Sequence, residues 1–100
     1  MKRESIIDGG NDLECWFCGS TQNLHRHHIF MGVGKRNLAE KYGCWCYLCY
    51  ECHEGTNGVH GKYGHRRDMT LKCVAQRAFE EKVGSREEFR AIFGRSYLEE

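Results

Sequence analysis

Two C-x2-C pairs constrain this chain more than any other feature. Cys15-Trp16-Phe17-Cys18 is the first and Cys49-Tyr50-Glu51-Cys52 the second. Two intervening residues let both thiolates of a pair reach one ion from a tight turn. Two such pairs supply the four sulfurs of a closed tetrahedral zinc site. Thirty residues lie between the pairs, more than the usual zinc-ribbon interval, so a sizeable folded segment must sit between the halves of the site. A hairpin with a long loop meets that requirement.

A chain of 100 residues is one small domain with a modest core, and a metal staple is expected at that size. Its 7 Cys and 6 His favour metal, whereas disulfides alone would leave one thiol over. The segment Met1–Asp12 is charged and has no apolar run resembling a signal peptide, which points to a reducing compartment. No apolar stretch approaches the length of a membrane span. A thiol–disulfide protein uses similar pairs, but two pairs make a better metal cage than a redox site. Cys44 and Cys46 fall on one face of a candidate strand. They are either competing ligands or, more simply, small buried hydrophobes, and Cys73 reads as a core thiol.

Met1–Glu14, polar with a Gly-Gly pair, reads as a flexible arm. Leu24–Phe30 and Cys44–Leu48 read as strands. Met31–Gly43 is rich in Gly and reads as a long loop with one helical turn around Leu38–Tyr42. A short helix starts near Tyr50 and carries Cys52 and His53, and Asn57–Gly64 is irregular. Leu71, Val74, Ala75, Ala78 and Phe79 predict a helix over Met69–Val83. Ser85 with Glu88 is a capping-box pattern that opens a last helix, with Phe89, Ile92 and Phe93 on its apolar face. The fold class is α+β: a core over 15–64 and a helical extension over 65–100 packed upon it.

The histidines lie inside this frame. On a strand, His27 and His28 point to opposite faces, so one can hold a metal while its neighbour does something else. A twist or bulge there aims both at one cleft. His25 and His65 read as bystanders, and Trp16, Phe17, Trp45 and Tyr47 as packing around the zinc. From Leu24 to Arg77, nine Lys/Arg face four Asp/Glu, a balance of +5, while the remainder carries −4. A locally basic middle suits phosphate, and equally suits a solvated mixed-charge surface.

The order Cys15-x2-Cys18, then His27-His28-Ile29-Phe30, then Leu48-Cys49-x2-Cys52-His53, then Gly58-Val59-His60 resembles the zinc-stapled HNH endonucleases of the ββα-metal superfamily, in particular small phage and prophage HNH proteins. The resemblance covers about Cys15 to His60. It implies a ββα-metal core and hydrolysis of nucleic-acid phosphodiester bonds, of DNA first. It implies His28 as the general base, suited to that role because imidazole titrates near neutrality. It implies His27, His53 and His60 as ligands of a catalytic divalent ion (Mg²⁺, Mn²⁺, Ni²⁺ or Zn²⁺), separate from the structural Zn²⁺ of Cys15, Cys18, Cys49 and Cys52. Lys35, Arg36, Arg66 and Arg67 would contact phosphates. A phage protein partner and a bacterial host cytoplasm belong to the same implication. Members of the family usually carry an Asn about nine residues ahead of the His that follows the second cysteine pair, where this chain has Cys44. Asn37 and Asn57 sit at other spacings. The missing Asn favours the rival reading, a zinc-stabilised nucleic-acid or protein interaction module that does not cleave.

Overall fold

In a computed structural model, residues 4–98 are described. Two strands form the sheet: β1, Leu24–His28, and β2, Trp45–Cys49. They pair antiparallel with Leu24 opposite Cys49 and His28 opposite Trp45. Strand alternation gives the sheet two distinct faces. His25 and His27 share one face with Leu48 and Cys46, and Arg26 and His28 share the other with Tyr47 and Trp45.

Between the strands lies α1, Lys35–Tyr42. The sequence predicts a loop with a single turn here, and the structure has an eight-residue helix. The Gly residues that suggest a loop lie at its two ends. Leu38 to Tyr42 are acceptable helix formers, Ala39 is fully buried, and Gly43 closes the helix in the left-handed region at φ 74°. A Cβ at Gly43 would also stand 2.5 Å from the Glu4 carbonyl oxygen, so only Gly fits.

That approach corrects the reading of Met1–Glu14 as a loose arm. Met1–Arg3 lie outside the described residues, but Ser5, Ile6 and Ile7 are buried. Ile6 donates its N–H to the Gly43 carbonyl at 2.9 Å, and the Ser5 hydroxyl donates to the Trp45 carbonyl at 2.5 Å. The Trp16 N–H bonds the Tyr47 carbonyl at 2.9 Å. The outer edge of β2 is therefore covered by the chain that precedes β1.

A short helix, α2 (Tyr50–Glu54), follows β2 directly, as expected. The long helix α3 spans His65–Lys82, and α4 spans Arg86–Phe93. α3 starts four residues before the expected Met69, because its first turn is polar and is held by the Asp68 N–H to the Gly64 carbonyl at 3.0 Å and the Asp68–Lys72 ion pair at 2.8 Å. The capping box at Ser85 forms with both of its hydrogen bonds. Leu71, Ala75 and Phe79 of α3 meet Phe89 and Phe93 of α4 in the core. Phe30 caps this cluster, 4.6 Å from the Phe93 ring and 5.3 Å from Phe89. No helix among the described residues is long and apolar enough to cross a membrane.

Candidate metal centres and cleft

The four cysteines of the two pairs converge. The sulfurs of Cys15, Cys18, Cys49 and Cys52 all lie within 4.8 Å of one another, so the group is positioned to hold a metal ion. The first pair sits on a knuckle in which Gly19 donates to the Cys15 carbonyl and Cys15 to the Ser20 carbonyl, both at 2.8 Å. The second pair joins the end of β2 to the first turns of α2. Burial raises the Cys15 thiol's pKa, but the Cys49, Cys18 and Phe17 backbone N–H groups and the Cys18 side chain outweigh it and bring it down to about 7. A thiol so placed is readily held as thiolate, the form that binds metal. Cys52 is raised by burial and by its neighbouring thiols.

Cys44 and Cys46 stand outside this group as fully buried thiols. Burial pushes Cys46 up to about 12, so it stays a neutral, apolar side chain. The partly buried Cys73 donates to the Tyr97 carbonyl at 3.4 Å.

On the other side of α2 the structure gathers a second cluster. Ring nitrogens of His27, His53 and His60 lie within 4.8 Å of one another. His27 comes from the inner face of β1, His53 from α2, and His60 from the loop that follows. The Gly-rich segment does not leave His60 free. Val59 donates to the Cys52 carbonyl at 2.9 Å and His60 to the His53 carbonyl at 3.0 Å, which folds the loop back along α2. Gly64 makes this possible, since a Cβ there would meet the Gly58 carbonyl oxygen at 1.5 Å.

His27 is 1% exposed, and its Nε2 has no hydrogen-bond partner. A buried, orphaned ring nitrogen is costly, and it calls for a ligand. Burial, aided by the nearby cationic forms of His53, His60, His28 and Lys72, lowers the His27 pKa to about 3. His53 is lowered as well, first by burial and then by His60. Both rings are therefore neutral near pH 7, the state a metal needs. On donor type and geometry the triad fits a divalent ion.

His25, read from the sequence as a bystander, belongs here too. Its Nδ1 lies 3.0 Å from His53 Nδ1, which leaves Nε2 as the His53 nitrogen not used in that contact. The period-two alternation of β1 was the available signal, because it places His25 on the same face as His27.

His28 points to the opposite face, as the alternation requires. Its Nε2 lies 2.5 Å from Glu40 Oε2 on α1. The same carboxylate receives Arg26 in a fork: Nη2 donates to Oε1 at 2.8 Å, and Nε lies 2.8 Å from Oε2. The Arg26 guanidinium lies 3.5 Å over the Trp45 ring, so Trp45 packs against Arg26 on this face. Burial pushes the Glu40 carboxyl up, but hydrogen bonds from His28 and Arg26 outweigh it and hold it below the usual carboxylate range. Nothing in the sequence singled out Glu40, which lies 12 residues from His28 on an unexpected helix.

Although they face apart, His27 and His28 line one cleft of about 410 Å³, because His28 is the last residue of β1. Arg26, Met31, Arg36, His53 and His60 complete most of its wall. Of the four basic residues expected at phosphates, only Arg36 lines this cleft. The Lys35 ammonium donates to the Phe93 carbonyl at 2.5 Å and ties α1 to the end of α4. Arg67 donates to Cys52 Sγ at 3.6 Å and covers Phe17. Arg66 lies with His65, Met69 and Arg77 on a separate face of α3. No family model, curated protein or solved structure matches the chain.

Proposed function

We propose that this chain is a metal-dependent endonuclease of the HNH type, with β1, β2 and α2 as a ββα-metal unit and zinc at the four cysteines. One observation carries the reading: a histidine triad and a separate, carboxylate-paired His28 open into a single cleft. That is the division of labour phosphodiester hydrolysis needs. His27, His53 and His60 would hold the divalent ion. When bound, that ion polarises the phosphate and offsets charge on the leaving oxygen.

His28 acts as general base. It takes a proton from the attacking water as the new P–O bond forms on one side of phosphorus and the bond to the 3′ oxygen breaks on the other. The 3′ oxygen leaves with the bonding pair and is protonated from solvent. Arg36 offers a phosphate contact at the wall of the cleft, whereas Arg26 is already paired with Glu40. Such a contact carries no base readout, so cleavage is expected to be weakly sequence-selective.

The test is nicking of supercoiled plasmid by the zinc-loaded chain with added Mg²⁺, Mn²⁺, Ni²⁺ or Zn²⁺. His28→Ala should lower the rate by roughly 10²–10⁴-fold. Equal cleavage by both proteins removes His28 as the base. Binding of DNA without cleavage in any metal leaves the interaction module, the reading favoured by Cys44 at the position of the usual Asn.

A further inference from the structure

We infer that Glu40 is the positioning residue of His28, supplying from α1 the anchoring that the usual Asn would give. The inference rests on the nuclease reading for its effect on rate, but its geometry stands by itself. His28 Nε2 and Glu40 Oε2 are in hydrogen-bond contact, with side chains only 12% and 23% exposed. An ionised carboxylate can only accept, so Nε2 carries the proton. Nδ1 is then the one ring nitrogen with a lone pair.

Glu40 is itself fixed. Arg26 donates from Nη2 to its Oε1 and holds Nε 2.8 Å from its Oε2 as an ion pair. Arg26 lies two residues before His28 on β1, so base and clamp project to the same face. α1 is held at one end by Lys35 on the Phe93 carbonyl and at the other by the Cys44 N–H on the Ala39 carbonyl at 2.8 Å. Cys44, the residue standing where the Asn is expected, thus helps to seat the helix that carries the replacement. A carboxylate does more here than an amide would. It fixes the tautomer, and it also stabilises the imidazolium once His28 has accepted a proton from water. It touches no substrate, so its effect passes through His28.

The experiment uses the zinc-loaded full chain. Long-range ¹H–¹⁵N correlation of the His28 ring should show a single Nε2–H tautomer in the wild type. Glu40→Gln keeps the size of the side chain and removes the charge. It should lower kcat by roughly 10–100-fold with KM nearly unchanged, as loss of an orienting partner does. Glu40→Gln combined with His28→Ala should be no slower than His28→Ala alone, because the two residues act as one unit. An Nδ1–H tautomer in the wild type overturns the inference, as does a Glu40→Gln loss that adds in full to that of His28→Ala. If the wild type cleaves nothing in any metal, the nuclease reading falls and the tautomer alone decides Glu40.

Discussion

Cys52 and His53 are neighbours on α2, yet Cys52 joins the four-sulfur group while His53 joins the histidine triad. One peptide bond links the two clusters. An ion among the sulfurs therefore fixes the turn from which His53 projects. Cys52→Ser should abolish stoichiometric zinc in the purified chain and weaken a second ion at the histidines at the same time. Native mass spectrometry reads both. Four thiols protected from alkylation until a chelator is added would mark the same site, and removal of the metal should unfold most of the chain.

The triad itself can be separated from the fold. His27→Leu replaces a buried ring that has an orphaned Nε2 by an apolar side chain that asks for no partner. In the absence of a second ion this should leave stability unchanged or raise it by about 1–3 kcal/mol. The same substitution should remove the second ion. Calorimetry at constant zinc, with and without added Mn²⁺, checks both; a large drop in Tm without Mn²⁺ would show that His27 is packed as core rather than held ready as a ligand.

Acid gives an independent check on that ring. The folded His27 pKa is lowered to about 3 by burial, whereas an unfolded histidine titrates near 6.5. Between those values the unfolded chain binds a proton that the folded chain refuses. Stability should thus be full above about pH 6.5 and fall as the pH drops through the window, by up to about 1.4 kcal/mol per pH unit. His27→Leu lacks this dependence, so the difference in Tm between the two proteins, followed from pH 7 to pH 5, isolates it from acid loss of zinc.

The loop that seats His60 has its own test. Gly64→Ala drives a Cβ into the Gly58 carbonyl. It should cost roughly 1–3 kcal/mol and loosen the second ion while zinc at the cysteines stays bound. Metal titration of the variant against wild type would show whether the two affinities part in this way.

At the far end of the molecule, Ser85→Ala removes the side chain that accepts from the Glu88 N–H at 3.1 Å. Loss of this cap should cost about 1 kcal/mol and leave both clusters intact. For a chain of this size that is a fall in Tm of roughly 4–8 °C.

Several of these features were legible in the sequence because local chemistry dictates them. Thiolate spacing, the Ser85–Glu88 pattern and the apolar stripe of α3 each act over a few residues. The alternation that parts His27 from His28 is equally local, and followed one step further it would have brought in His25. Glu40 is different. Its partnership with His28 depends on how α1 crosses the sheet, and no period within the chain encodes that. Lys35 and Arg67 were expected at phosphates by resemblance, and no local pattern announces a carbonyl or a sulfur arriving from afar. Ile6 and Ile7, two adjacent apolar residues in a polar segment, were the overlooked sign that the first residues belong to the core.

The cover over β2 has a practical consequence. A two-stranded sheet has few backbone groups in its own ladder, and here Ser5 and Trp16 take up the Trp45 and Tyr47 carbonyls at the outer edge while Ile6 bonds Gly43 just ahead of β2. Trimming the chain back to Cys15, as the cysteine motif alone would suggest, would keep the Trp16 bond but strip Ser5 and Ile6 from that side and bare the Trp45 carbonyl. Shortened versions should then be more prone to self-association through β2, so the segment that carries Ser5 and Ile6 belongs with the domain.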